Sequence, residues 1–215
     1  ITTGTNEIIF YYTKRSDLSY TVKYLEKDTN EVLAAQKTVE NQTFGTTATE
    51  NALDIAGYTV DAQSKNVKIT TGTNEIIFYY TKRTDLEYTV NYYEEGTTKK
   101  LQESKTVENQ TFGTSVTEKA VTIPGYNLVS DESQTITIGA GENVINFYYA
   151  KKTNLSYTVK YLEAGTDEVL AEEKKVEGQT FGTTVKEKAI QINGYNVTGE
   201  SEKSFEIADG TNEII

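Results

Sequence analysis

The chain repeats itself three times, and the length of the repeat bounds every fold open to it. Tyr20-Thr-Val-Lys-Tyr-Leu-Glu26 returns as Tyr88-Thr-Val-Asn-Tyr-Tyr-Glu94 and again as Tyr157-Thr-Val-Lys-Tyr-Leu-Glu163, at spacings of 68 and 69 residues. The block from Thr38 to Thr46 recurs at Thr106 to Thr114 and, slightly altered, at Lys175 to Thr183. Gly57-Tyr58, Gly125-Tyr126 and Gly194-Tyr195 keep step, and Gly-Thr-Asn-Glu-Ile-Ile stands at Gly4, Gly72 and Gly210. A period of this length is too long for a helix pair and suits a small domain of its own. The expected frame is a closing strand of a preceding repeat over 1–15, then repeats over 16–83, 84–152 and 153–215, the last truncated in its final strand. The 215 residues therefore read as a slice of a longer array.

Inside one repeat the apolar pattern has period two. Tyr20, Val22 and Tyr24 alternate with Thr21 and Lys23, the signature of a strand with one buried face. Comparing Asn74–Tyr80 with Asn143–Tyr149 separates the two faces of the closing strand, because Asn146 stands where Ile77 does while Ile145, Phe147 and Tyr149 match Ile76, Phe78 and Tyr80. A position that accepts Asn is read as wet, so Ile76, Phe78 and Tyr80 are assigned to the core and Ile77 and Tyr79 to the outer face. Further strands are expected at 31–40, anchored by Leu33 and Val39, and at 67–70. The segments Thr47–Glu50, Ser115–Glu118 and Thr184–Glu187 are Ser/Thr-x-x-Glu capping boxes followed by apolar residues four apart. They favour a short helix, with an extended loop as the other reading. The expected unit is α+β and mainly antiparallel, with the helix laid on one face of a sheet. Polar connectors at 81–86 and 150–155 should make the array semi-rigid.

Composition removes whole classes of chemistry. The chain has no Cys, His, Met or Trp, hence no thiol nucleophile, imidazole base, thiolate metal site or disulfide. A net charge of −11 opposes nucleic acid and anionic membrane surfaces. No stretch has the ~20 apolar residues of a membrane-spanning helix, and the start lacks a signal pattern. Sixteen Tyr and seven Phe are too many large rings for a disordered acidic segment.

The remaining candidates are weighed residue by residue. Glu26, Glu40 and Glu50 recur in every copy and invite comparison with the carboxylate pair of a glycosidase. Strand-surface and helix-cap roles account for them, and a unit this small scarcely encloses a pocket, so no enzymatic activity and no cofactor are expected. Asp28–Glu31 has oxygen-rich spacing but lacks a twelve-residue calcium loop and reads as a hairpin turn, leaving no metal site. Lys37, Lys105 and Lys174 with Asn74, Asn143 and Asn212 could form Lys–Asn isopeptide bonds, but solvated Lys and turn Asn explain them better. The aromatic outer face is left. Tyr79, Tyr93 and Tyr148 are the candidate binding residues, able to stack on a sugar or pack on a protein, against the alternative that Tyr merely supports the sheet.

The opening Tyr20-Thr-Val-Lys-Tyr24, the Pro124-Gly125-Tyr126 turn and the closing Ile-x-Phe-Tyr-Tyr strand together resemble the MucBP (mucin-binding protein) repeat of Gram-positive cell-wall adhesins, in three copies covering nearly the whole chain. The resemblance implies β-grasp (ubiquitin-like) domains in an elongated array. It also implies an extracellular protein, anchored to the cell wall through segments outside this chain. Its expected partner is a host mucin, glycan or extracellular protein, held weakly per repeat and multivalently overall. The alternative is a stalk that projects another domain and binds nothing itself. The strand at residues 7–12 is expected either to complete the third unit of another molecule by strand exchange or to open the first unit.

Overall fold

The computed structural model describes residues 3–215, so the first two residues of the expected leading strand lie outside it. By its own contacts the chain divides into two compact units. One comprises the residues through Glu87 with Glu108–Thr114 and Thr137–Glu142; the other comprises Tyr88–Val107, Ser115–Ile136 and Asn143–Ile215.

In the first unit, strands β1 (Leu18–Glu26), β2 (Val32–Gln42), β3 (Thr47–Asn51), β4 (Tyr58–Val60), β5 (Ser64–Lys68) and β6 (Glu75–Lys82) follow one another. They form a four-stranded sheet in the order β2-β1-β6-β4 and a separate ribbon, β3-β5. The central pair β1–β6 is parallel, with Val22 opposite Ile76 and Tyr24 opposite Phe78. Its flanking pairs, β1–β2 and β4–β6, are antiparallel. Alternation decides the core, as the spacing predicts: Tyr20, Val22, Tyr24, Ile76, Phe78 and Tyr80 are all under 9 % exposed. Each such side chain contributes about 1.5–3 kcal/mol on burial. Leu33 and Val39 pack on this cluster from β2. Tyr24 and Phe78 stack with their rings 7° from parallel.

The second unit holds most of repeat 2, with β7 (Leu86–Glu94), β8 (Lys105–Gln110), β9 (Ser115–Lys119), β10 (Tyr126–Leu128), β11 (Ser133–Thr137) and β12 (Val144–Lys151). It also holds repeat 3, with β13 (Leu155–Leu162), β14 (Val169–Gln179), β15 (Thr184–Lys188), β16 (Glu202–Glu206) and β17 (Glu213–Ile214). The parallel pair recurs in both, as β7–β12 and as β13–β17. The sheet orders are β10-β12-β7-β8 and β14-β13-β17.

The structure corrects the expected fold class. No residue among those described is helical, so the repeats are all-β rather than α+β. The three capping-box segments are β3, β9 and β15, each one half of a two-stranded ribbon. Thr47, Thr49 and Asn51 point outward while Ala48 and Glu50 are half-buried, a strict period of two. Glu50 caps nothing: its carboxylate accepts the Tyr20 hydroxyl at 2.6 Å and the Lys37 ammonium at 2.7 Å. A β-grasp assignment rests on a helix that the ribbon replaces.

Two joints link successive repeats, one inside each unit. In the first, the Phe112 ring lies on Gly57 and meets Tyr58 edge-on at 5.4 Å. The Phe112 amide donates to the Arg83 carbonyl, and the Arg83 amide donates to the Gly57 carbonyl. In the second, Phe181 lies on Gly125 and meets Tyr126 at 5.5 Å, with Lys152 in the place of Arg83. Gly57 and Gly125 have φ of +83° and +80°, a region that disfavours any side chain.

Candidate binding site

Strand registry assembles the outer face. Tyr148 lies directly opposite Tyr93 across the β7–β12 pair, and alternation turns both away from the core row of Tyr92, Phe147 and Tyr149. Their rings stack with centroids 6.1 Å apart and planes 29° from parallel. Tyr148 is 39 % exposed and Tyr93 is half-buried. Among the described residues neither phenolic hydroxyl has a hydrogen-bond partner. The pair therefore presents a flat aromatic surface with two hydroxyls available at its edge.

Tyr79 belongs to the other unit and has a different environment. It lies opposite Leu25, and the Lys65 ammonium sits 5.6 Å from its ring centroid. Lys65 is held there by Asp61 at 2.6 Å, so a cation already occupies one face of Tyr79.

Beside the Tyr93–Tyr148 pair runs a line of polar side chains. The Lys100 ammonium donates to the Ser104 hydroxyl at 2.7 Å, and that hydroxyl donates to Asn91 Oδ1 at 2.7 Å. Asn91 Nδ2 donates to Asn146 Oδ1 at 3.0 Å. Gln134 donates to the Asn146 carbonyl at 2.8 Å, and Ser130 accepts the Tyr148 amide at 3.1 Å. Asn91 is only 8 % exposed, so this line is a support for the aromatic pair more than a wet patch. Asn146, read from sequence as a solvated position, is half-buried and satisfied by Asn91. The available signal was a paired one: in the first repeat the same two positions are Lys23 and Ile77. In the second both become Asn at once.

The recurrent carboxylates are otherwise engaged. Glu50, Glu118 and Glu187 each accept a core Tyr hydroxyl and a Lys, from Tyr20 and Lys37, Tyr88 and Lys105, and Tyr157 and Lys174. The Lys37 ammonium and the Tyr20 hydroxyl hold the Glu50 carboxyl below the usual carboxylate range. Glu26, 7 % exposed, is bonded by the Thr29 hydroxyl and lies 3.3 Å from Lys82. Asn74 is buried, accepting from the Thr70 amide at 2.8 Å and donating to the Ser19 carbonyl at 3.0 Å. Lys37 and Asn74 thus have separate partners, which leaves no Lys–Asn pair poised for condensation in that repeat. Among the described residues no group of three or more acidic side chains is arranged to hold a metal ion.

The sequence profile of the MucBP domain matches residues 20–81, 88–150 and 157–215. Internalin I of Listeria monocytogenes serovar 1/2a is 29 % identical over 191 residues, 83 % of this chain but 10 % of that protein. The chain thus spans about a tenth of the length of that relative. Among solved structures, the Bacillus anthracis TIE protein is similar over 93 % of this chain and 49 % of its own, at 14 % identity and a TM-score of 0.42. Mub-RV is similar over 63 % and 99 %, at 16 % identity and a TM-score of 0.22.

Proposed function

The chain belongs to the MucBP domain family, and from that premise we propose that it is the tandem-repeat region of a bacterial cell-surface adhesin whose second repeat holds extracellular host glycan or mucin at Tyr93 and Tyr148. The observation that carries this reading is the stacked Tyr93–Tyr148 pair, with Tyr148 exposed and Tyr93 half-buried, on a braced polar base. A pyranose ring offers an apolar face that lies on such a surface, while the tyrosine hydroxyls reach its equatorial oxygens. Bulk charge contributes nothing to attraction between a chain at −11 and an acidic mucin. Affinity per site is consequently weak, and retention depends on several sites acting together. Enzymatic activity forms no part of this reading.

Tyr148→Ala or Tyr93→Ala should weaken retention on immobilised mucin at physiological salt by about tenfold, the equivalent of ~1.4 kcal/mol for one lost stacking surface. Tyr79→Ala, whose ring is already covered by Lys65, should weaken it far less. Unchanged retention in all three variants, with the melting temperature preserved, rejects glycan binding at these residues. The joints at Phe112 and Phe181 favour the second reading, a spacer that projects another domain. On that reading the unaltered chain is not retained at all.

A further inference from the structure

The path of the chain through a repeat decides how a pull on its two connectors is resisted. The first repeat begins with β1 and ends with β6, and these two strands lie side by side in one sheet and run the same way. Because they are parallel, the start of β1 and the end of β6 lie at opposite ends of the pair. Tension that enters before Leu18 and leaves after Lys82 therefore slides one strand along the other and loads every bond between them at once. The second repeat has the same arrangement, with β7 and β12 as its first and last strands.

The contact between the two strands is continuous and in register. Six successive residues of β1, Thr21 to Glu26, face Glu75 to Tyr80 without a bulge, whereas the antiparallel pair β1–β2 has three register shifts. Backbone bonds close the ladder at both ends: the Thr21 amide donates to the Asn74 carbonyl at 3.0 Å and the Lys27 amide to the Tyr80 carbonyl at 2.9 Å. In the second repeat the Thr89 amide donates to the Asn143 carbonyl and the Glu95 amide to the Tyr149 carbonyl, both at 2.9 Å.

Side chains cross the same boundary. Asn74 Nδ2 donates to the Ser19 carbonyl at 3.0 Å at one end, and Lys82 lies 3.3 Å from Glu26 at the other. Between them Lys23 pairs with Glu75, and Tyr24 stacks on Phe78 with ring centroids 6.0 Å apart. In the second repeat Val144 stands where Glu75 does, and the strands are spanned instead by Asn91 bonded to Asn146 and by two stacked aromatic pairs. Residues 27–74, which include β2 to β5, form a closed loop off the loaded path. No tension reaches that loop until the pair parts.

We propose that each of these two repeats is a mechanical clamp, in which the parallel pair of first and last strands bears tension in shear and keeps the repeat folded under a pull on its connectors. Such a repeat carries tension whether it holds a glycan or spaces another domain. Forced unfolding is governed by the unfolding barrier and not by equilibrium stability, so the resistance depends on the direction of the pull. Along the pair all the bonds of the ladder must fail together; across it they fail one after another.

Single-molecule pulling on the whole chain in two directions tests this. The chain has no cysteine, so thiol handles can be set at chosen places. A Ser16→Cys/Thr84→Cys variant is pulled along the β1–β6 pair. An Asp28→Cys/Thr84→Cys variant, with both handles at the same end of the pair, is peeled across it. All three positions are exposed, and equal melting temperatures establish that the two variants share one fold. Rupture along the pair should need about twice the peeling force or more, because the ladder is loaded in parallel. It should release about 200 Å of chain in a single step. Equal forces in the two directions, or a weaker one along the pair, overturn the proposal. So does a release in several smaller steps, which would mean that the inner strands give way before the clamp.

Discussion

One triplet of side chains recurs with nearly the same geometry in all three repeats: Tyr20–Glu50–Lys37, Tyr88–Glu118–Lys105 and Tyr157–Glu187–Lys174, with oxygen–oxygen and nitrogen–oxygen distances between 2.5 and 2.8 Å. The bond to the carboxylate, reinforced by burial, pushes the hydroxyls of Tyr20, Tyr88 and Tyr157 up to about 12. A raised value in the folded state means that this stability is fully present below about pH 10, where the unfolded phenol ionises, and is lost as pH climbs toward 12. The Glu50 and Glu187 carboxyls are held low, first by their Lys and then by their Tyr. Their contribution is present above the unfolded value of about 4.3 and fades as pH falls below it. Thermal melts across pH should therefore show a plateau with losses on both flanks. Tyr20→Phe should cost about 1 kcal/mol at neutral pH and remove one repeat's share of the alkaline loss. An unchanged alkaline flank in the triple Tyr→Phe variant would show that the triplets do not govern it. Little of this was legible beforehand, because a carboxylate three residues after a Thr spells a capping box whether or not a helix follows. Asn74 was equally opaque: Gly-Thr-Asn reads as a turn, and only the fold shows that the turn is driven inward to satisfy the Ser19 carbonyl.

The capping-box segments show how two local patterns compete at the level of the element. Thr-Ala-Thr-Glu-Asn satisfies the helical cap and the period of two equally well, and a five-residue stretch is too short for cooperativity to favour the helix. The ribbon wins because it gives Ala48 and Glu50 a half-buried face and delivers the carboxylate to Tyr20 and Lys37. β-branched Thr and Val at the alternate positions also prefer extended backbone. By contrast, β1 was legible from alternation alone, β6 from comparing its apolar row with that of β12, and β2 from its anchors Leu33 and Val39. The ribbon makes a prediction opposite in sign to the helix. Thr117 and Thr135 share a hydrogen bond of 2.7 Å across β9 and β11, so Thr117→Ala should destabilise the chain by about 0.2–1 kcal/mol. In a helix the same change would be stabilising, because Ala is the better helix former. A urea titration of the variant distinguishes the two.

At the scale of the whole molecule, successive repeats are tied by joints as well as by their connectors. Nothing in the Gln-Thr-Phe-Gly pattern singles out Phe112 or Phe181; only the fold sets their rings on the Gly-Tyr turn of the repeat before. The two joints neutralise their basic residue by different routes. Arg83 in the first is gripped by Asp85 of its own connector through two bonds of 2.9 and 3.0 Å. In the second, Asn154 stands where Asp85 does, and the carboxylate comes instead from Asp209, which accepts from Lys152 at 2.8 Å and from the Gly125 amide at 2.8 Å. The position equivalent to Asp209 in the second repeat is Ala140, which has no carboxylate to offer. Moving the acid from the connector to the next repeat turns a local ion pair into a clamp, because one side chain now holds both the turn and the connector. Lys152 lowers the Asp209 carboxyl first and the Gly125 amide adds to it, so the clamp is present at neutral pH and released as pH falls through that lowered value. Asp209→Ala should speed hydrogen exchange at the Gly125 amide and lower the melting temperature, while leaving the first joint's Phe112 amide unchanged. Adding Asn154→Asp to that variant should give Lys152 a partner again and recover part of the melting temperature, but not the protection of Gly125. Slow exchange at Gly125 in the Asp209→Ala variant would mean that the Phe181 ring alone closes the second joint.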